Sequence, residues 1–165
     1  MQRINKYIDR VIEWALILLM AGMVVNVTWQ VFTRFILKDP SSFTEELARF
    51  LLIWTGLMGA TYAVSKKIHL AINLLADSLT GYPKIATEIF INLCIFLFAL
   101  FVMLIGGINL VEMSFTLNQV SAALEMKLGY VYLVLPLSGI LIMYFSSITI
   151  YEHVIEIYEK RIKTE

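Results

Sequence analysis

Residues 45–66, EELARFLLIWTGLMGATYAVSK, decide the fold of this chain, because three early charges are followed by a long uncharged stretch. Between Arg49 and Lys66 lie 16 residues without a charge. A helix rises ~1.5 Å per residue, so they cover about 24 Å, whereas the hydrocarbon core of a bilayer is ~30 Å thick and needs about 20 residues. We therefore predict a membrane-spanning helix whose first turn, with Glu45, Glu46 and Arg49, dips into the membrane or is shielded by protein.

Three further stretches without charges, residues 14–33, 89–111 and 128–151, contain 20, 23 and 24 residues. Each is long enough to cross a bilayer as a helix. Hydrophobic residues make up 59% of the chain and charged residues 16%, against ~25% charged residues in soluble domains, which argues against a soluble helical bundle. We predict an all-α membrane protein that forms a single membrane domain. Its four transmembrane helices are placed at about 12–36, 45–65, 86–111 and 128–152 of residues 1–165.

The lysines and arginines predict the orientation of the chain, because short cytoplasmic connections are enriched in these residues. With four spans, both termini and the middle connection share one side of the membrane. That side carries nine of the 13 basic residues: Arg3, Lys6, Arg10, Lys66, Lys67, Lys84, Lys160, Arg161 and Lys163. The other side carries the remaining four: Arg34, Lys38, Arg49 and Lys127. We therefore expect both termini to lie in the cytoplasm.

The middle connection has the period of an amphipathic helix. Its polar residues are Lys66, His69, Asn73, Asp77 and Thr80, and its apolar residues are Ile68, Ile72, Leu75 and Leu79. We predict an interfacial helix at about 66–80, lying on membrane phospholipids with Lys66 and Lys67 near the phosphates. The alternative is that the second span simply extends into water. His69 has no second histidine or cysteine at ligand spacing, so we interpret it as a capping or hydrogen-bonding residue rather than a catalytic one.

Polar side chains inside the predicted spans need a protein partner, because hydrocarbon does not solvate them. Asn26, Gln30 and Arg34 are spaced four apart and so share one helix face. Glu45 and Arg49 have the spacing of a helical ion pair, and a pair between Arg34 and Glu46 across the first hairpin is also compatible with the sequence. We interpret these residues as a clamp that holds helices or subunits together. The alternative interpretation is a site for ions or substrate.

Small residues indicate where helices approach each other closely in a membrane. Such residues are Gly56, Gly59, Ala60 and Ala63 on the second span, Gly106, Gly107 and Asn109 on the third, and Pro136, Ser138 and Gly139 on the fourth. They serve either packing within the chain or contact with another subunit.

The sequence lacks the motifs of nucleotide, metal and cofactor sites. Cys94 is the only cysteine, so disulfides and thiolate metal sites are excluded. We expect no enzyme activity, no cofactor, no metal and no nucleic acid. A chain of this size without a broken span or an inverted repeat is typical of an accessory membrane subunit rather than of a complete transporter.

Two segments resemble a known family. Residues 26–37, NVTWQVFTRFIL, and 41–75, SSFTEELARFLLIWTGLMGATYAVSKKIHLAINLL, are similar to the DctQ-like small membrane subunit of TRAP transporters, the tripartite ATP-independent periplasmic systems. So is SAALEMKLGYVYLVLPLSG at 121–139. The shared residues include Arg34, Phe35, Glu45, Glu46, Arg49, Trp54, Gly59 and His69, with Leu124, Tyr132 and Pro136 in the last segment.

The resemblance implies a transport function for the chain. In such systems of the bacterial inner membrane, a periplasmic substrate-binding protein captures an organic acid, often a dicarboxylate or a sialic acid. A large membrane subunit of roughly twelve spans then imports it with sodium ions. The small subunit is expected to act as the membrane scaffold of the large one and to help dock the binding protein. The rival hypotheses are a stand-alone homo-oligomeric transporter or channel, and a membrane enzyme centred on His69.

Overall fold

The computed structural model describes residues 2–39, 41–67 and 82–162. The prediction of an all-α chain with four long apolar helices is confirmed for these residues, and they contain no β-strand. Most of the predicted interfacial helix, including His69, lies outside them.

Four helical spans, two of them with π-helical segments, make up the described chain. The first span is α1 (Gln2–Phe32) continued by a π-helical segment (Thr33–Leu37), and the second is α2 (Ser42–Ser65). The third is α3 (Tyr82–Phe98), a π-helical segment (Ala99–Gly106) and α4 (Gly107–Thr116), and the fourth is α5 (Leu128–Tyr132) followed by α6 (Val134–Ile162). The parts apolar enough to cross a membrane are Asn5–Leu37, Ser42–Ser65, Pro83–Thr116 and Leu128–Ile155.

Local chemistry explains two of these boundaries. The first span ends at Lys38, which adopts a left-handed conformation with φ 56° that terminates helices. The fourth span is interrupted at Leu133. Pro136 has no N–H to bond the carbonyl four residues earlier, so a helix breaks there and restarts with the proline in its first turn.

The four spans pack in the order first, second, fourth, third. α1 packs on α2, α2 packs on α6, and α6 packs on α3 and the second π-helical segment. Within the described residues, the backbones of the first and third spans do not approach each other. The fourth span is therefore central, with 39% of its apolar stretch buried, compared with 11% in the first and third spans and 17% in the second.

The hydrophobic core lies toward the end of the molecule that contains Lys66. It is formed by Ile12, Val64, Ala99, Met103, Ile142 and Phe145. All four spans contribute to it, so side chains close the bundle at this end even though the backbones form an open row.

Glycines mark close contacts between the third and fourth spans. A Cβ atom added to Gly139 would lie 3.0 Å from Met103 Cβ and 3.3 Å from the Ala99 carbonyl oxygen. A Cβ atom on Gly107 would lie 3.0 Å from Pro136 Cδ. The prediction that small residues of these two spans mark a close helix contact is thus confirmed, and the contact lies within the chain.

Candidate subunit-interface site

Glu46 fastens the connection between the third and fourth spans to the beginning of α2. Its Oε1 accepts a hydrogen bond from the Ala122 N–H at 3.2 Å, and its Oε2 accepts bonds from Ala123 at 2.8 Å and Leu124 at 2.9 Å. Backbone N–H bonds to a carboxylate are stronger than bonds between neutral groups. From the sequence we expected the first turn of α2 either to dip into the membrane or to be shielded by protein. At Glu46 it is shielded by protein.

The pair between Arg34 and Glu46 that we considered from the sequence is wrong. Both carboxylate oxygens of Glu46 accept hydrogen bonds from the backbone of the connection. Arg34 lies in the π-helical end of the first span, and its side chain is exposed. We considered this pair because both side chains belong to the first hairpin. The sequence pattern could not show that the backbone of a distant segment would donate hydrogen bonds to the Glu46 carboxylate.

The connection bound by Glu46, residues 117–127, is an ordered turn that we call the latch loop. Its two ends meet in an antiparallel bridge between Val120 and Lys127. The Ser121 N–H donates to the Met126 carbonyl at 2.9 Å.

Asn118, with a φ of 46°, caps the end of the third span, since its N–H donates to the Phe115 carbonyl and the Gln119 N–H donates to the Ser114 carbonyl. Glu125 adopts a φ of 51°, a region that costs energy for a residue other than glycine, so surrounding bonds must hold it in place.

The predicted ion pair between Glu45 and Arg49 is confirmed. The two side chains are 2.5 Å apart, and 53% of the Glu45 side chain and 71% of the Arg49 side chain are exposed. Neither side chain packs into the chain, in contrast to neighbouring Glu46. The charged pair therefore lies on the outer surface of α2, within its first two turns.

Asn26, Gln30 and Arg34 do not act as one polar face. Asn26 is buried, and its Nδ2 donates to the Thr44 carbonyl at 2.7 Å, which joins α1 to the start of α2. The Gln30 side chain is half-buried and Arg34 is exposed. Of these three residues, only Asn26 joins two helices within the described residues.

Trp54 joins α2 to the central span. Its Nε1 donates to the Val131 carbonyl at 3.0 Å. This carbonyl belongs to α5, next to the interruption of the fourth span, where helical carbonyls lose their usual partners. The indole therefore stabilises the break that Pro136 imposes.

No other part of the described chain packs closely against the glycines of α2. A Cβ atom added to Gly56 or Gly59 would have no neighbour within 4 Å. Gly56 shares one exposed side of the helix with four other residues, and we call this side the α2 outer face. Its members, in steps of three or four residues, are Glu45, Arg49, Leu52, Gly56 and Ala60.

An apolar groove lies between α1 and α2, next to the Asn26 clamp. It encloses about 560 Å³, and its lining includes Gly22, Val25, Trp29 and Phe43. The side chains of Trp29 and Phe43 are about half exposed, at 54% and 48%. The half of the molecule built from the first two spans thus offers unfilled apolar surface.

Lys66 and Lys67, at the opposite end of α2, hold helices together. Lys66 Nζ lies 2.8 Å from the Asp9 carboxylate of α1, and Lys67 Nζ lies 2.8 Å from the Glu152 carboxylate of α6. The hydrogen bond to Asp9 raises the pKa of Lys66 above its ordinary value of 10.5. Lys66 therefore stays protonated at neutral pH. The sequence did not predict these two pairs, because their partners are far apart in the chain.

Two further contacts join the spans at the same end. The Tyr144 hydroxyl donates to Asn5 Oδ1 at 2.9 Å. His153 Nε2 lies 3.4 Å from the Glu88 carboxylate, and both side chains are mostly buried. Within the described ranges, no group of three histidine, cysteine or acidic side chains is arranged to hold a metal ion.

Four apolar spans define a multi-pass membrane protein. Residues 23–156 match the family model described as tripartite ATP-independent periplasmic transporters, DctQ component. The chain belongs to this family. It is therefore a component of a membrane transporter rather than an enzyme.

Three relatives support this membership, and the chain covers a different share of each. The chain is 30% identical over 95 residues to the sialic acid TRAP transporter small permease protein SiaQ of Vibrio cholerae, covering 58% of this chain and 55% of that protein. It is 25% identical over 153 residues to a putative TRAP transporter small permease protein of Haemophilus influenzae, covering 91% of both.

A third relative is much longer than this chain. The match to the sialic acid TRAP transporter permease protein SiaT of Haemophilus influenzae is 27% identical over 146 residues, which is 84% of this chain and 22% of that protein. The chain thus spans about half of the first relative and about a fifth of this one.

Proposed function

We propose that this chain is the small permease subunit of a TRAP transporter that imports an organic acid of the sialic acid or dicarboxylate type. In this proposal it is the membrane scaffold of a large transport subunit, which moves the solute together with sodium ions. In this proposal it sits in the bacterial inner membrane with both termini in the cytoplasm, the orientation that the excess of lysine and arginine predicts.

The observation that carries the proposal is the α2 outer face. Glu45 and Arg49 are exposed on a helix that crosses the membrane, and lipid tails cannot solvate charged groups that enter the hydrocarbon. One and two turns further along, Leu52 and Gly56 offer an apolar and then an open surface. Small residues let another helix approach the backbone closely. The combination favours a transmembrane helix of a partner protein over lipid.

The relatives indicate what kind of partner this is. In the Haemophilus influenzae permease protein, the segment similar to this chain occupies 22% of a single polypeptide. A segment that is covalently joined to a larger membrane protein in one species commonly contacts a separate version of it in another. We therefore assign the α2 outer face to the large subunit, together with the groove that contains Gly22 and Trp29.

The proposal also assigns the two sides of the membrane. Lys38, Asp39 and the latch loop lie on the side opposite to Lys66 and Lys67, which is the periplasmic side in this orientation. They are exposed to the soluble compartment, where a substrate-binding protein docks. The interfacial helix at about 66–80, with His69, would rest on phospholipids at the cytoplasmic surface and widen the scaffold.

Purification and transport measurements test the proposal. The chain, expressed with the large subunit from its own genome, should co-purify with it in equal amounts. Proteoliposomes should take up the organic acid only when both subunits and the binding protein are present. Uptake by this chain alone would contradict the proposal and support the homo-oligomeric transporter instead.

A further inference from the structure

The geometry points to Glu46 as a positioning residue that holds the latch loop in the shape that receives the periplasmic binding protein. This inference rests on the proposed function and adds a residue with a defined role to it. Three observations carry it: the bonds made by the carboxylate, the strain in the loop, and the side chains that the loop exposes.

The carboxylate of Glu46 is matched to the loop at both of its oxygens. Oε1 accepts from Ala122 and Oε2 accepts from Ala123 and Leu124, at 3.2, 2.8 and 2.9 Å. Three consecutive N–H groups that converge on one anion form a concave binding surface of the kind that backbone nests provide. A glutamine has one acceptor oxygen, and its NH₂ group would face the remaining N–H donors. The site therefore requires an anion.

The loop does not hold this shape by local preference alone. Glu125 has a φ value of 51°, and such a conformation persists in a non-glycine residue only where surrounding contacts enforce it. The internal bonds of the loop close its ends, as Leu128 N–H donates to the Gln119 carbonyl at 3.0 Å. Glu46 is the group that fixes the tip of the loop to a membrane-spanning helix.

With its tip held by Glu46, the loop turns a mixed surface outward. Leu117 and Val120 are 62% and 50% exposed, and the side chains of Glu125 and Lys127 are also exposed. Ordered loops on a rigid scaffold are the common place for protein recognition. A preformed loop binds with less loss of conformational entropy than one that must first fold.

The first experiment measures the loop itself. In a Cys94→Ala background, Ala123→Cys reports the accessibility of the loop tip to a membrane-impermeant maleimide in the purified complex. We expect Glu46→Gln to raise the labelling rate roughly tenfold or more, the factor that one lost hydrogen bond to a charged group typically represents. The control, Glu13→Gln, should leave the rate unchanged, because Glu13 is an exposed glutamate of α1 near Lys66, at the end of the molecule opposite to the loop.

The second experiment measures docking. Uptake by the reconstituted complex is titrated with the binding protein. Glu46→Gln should raise the binding-protein concentration for half-maximal uptake several-fold and leave the maximal rate intact, whereas Glu13→Gln, an exposed glutamate of α1, should change neither. Glu46→Asp keeps both oxygens on a shorter side chain and should fall in between. If the glutamine variant does not fold, Glu46→Asp is compared with the unaltered chain in its place.

Three results would overturn the inference in distinguishable ways. Unchanged labelling in Glu46→Gln would show that the carboxylate does not hold the loop. Raised labelling with an unchanged half-maximal concentration would show that the loop does not receive the binding protein, while the small-permease assignment stands. Loss of the large subunit from the complex would assign Glu46 to assembly instead.

Discussion

The second span and the contact between the third and fourth spans both contain glycines, but the surroundings of these glycines differ. A Cβ atom added to Gly107 or Gly139 would meet atoms of this chain at 3.0–3.3 Å, closer than ordinary van der Waals contact. Gly56 and Gly59 have no neighbour within 4 Å. Because glycine in a helix costs stability relative to alanine, an open pair of glycines gives this chain no folding advantage. We infer that the first pair serves the folding of the chain and that the second pair leaves space for a partner helix.

The same division appears among the charged residues at the start of α2. Glu46 binds three N–H groups of the chain itself, whereas the side chains of Glu45 and Arg49 pair with each other and are more than half exposed. Adjacent residues on one helix thus serve the inside and the outside of the protein. We therefore expect substitutions of residues bound within the chain to lower its stability, and substitutions on the α2 outer face to weaken assembly with a partner.

The largest effect on folding is expected at the contact between the third and fourth spans. Gly139→Leu would push a side chain into Met103 and the backbone of the second π-helical segment, and overpacking of this kind costs about 1–3 kcal/mol. The matched Gly59→Leu has open space and should leave the thermal midpoint of the isolated chain in detergent unchanged. Equal destabilisation of the two variants would remove the distinction between the inner and outer glycines.

A smaller effect is expected at Trp54. Trp54→Phe removes the donor to the Val131 carbonyl and leaves a buried acceptor unpaired, which costs about 1–3 kcal/mol in general and toward the lower end for a carbonyl near a helix break. The control is Trp29→Phe, because Trp29 is 54% exposed in the apolar groove and should affect assembly rather than chain stability. Thermal unfolding of the isolated chain measures both variants. A larger loss for Trp29→Phe would reverse the assignment of the two tryptophans.

Much of the fold could be predicted because it depends on composition and local spacing. Four uncharged stretches predicted four apolar helices, and the four-residue spacing of Glu45 and Arg49 predicted their ion pair. Small residues of the third and fourth spans predicted a close helix contact, although their pattern does not indicate which span lies against them. The resemblance to the small TRAP subunits came from the order of several short motifs.

What the sequence did not reveal depends on distant partners or on the backbone. Glu46 binds N–H groups 76 to 78 positions away, and every residue except proline offers such a group, so no residue type signals the contact. Lys66 and Lys67 were expected near lipid phosphates, yet they also pair with Asp9 and Glu152 across the bundle. The π-helical segments likewise have no simple sequence signal, since they arise from packing in a long helix.

We propose that the α2 outer face binds the large transport subunit, and a matched pair of alanine substitutions tests this contact. Ala60 and Ala86 are both exposed on membrane-spanning helices, but only Ala60 belongs to the α2 outer face. With affinity-tagged large subunit, Ala60→Leu should sharply reduce the co-purified small subunit, whereas Ala86→Leu should co-purify like the unaltered chain, and both variants should keep their thermal midpoints. Normal co-purification of Ala60→Leu would show that the α2 outer face does not bind the large subunit.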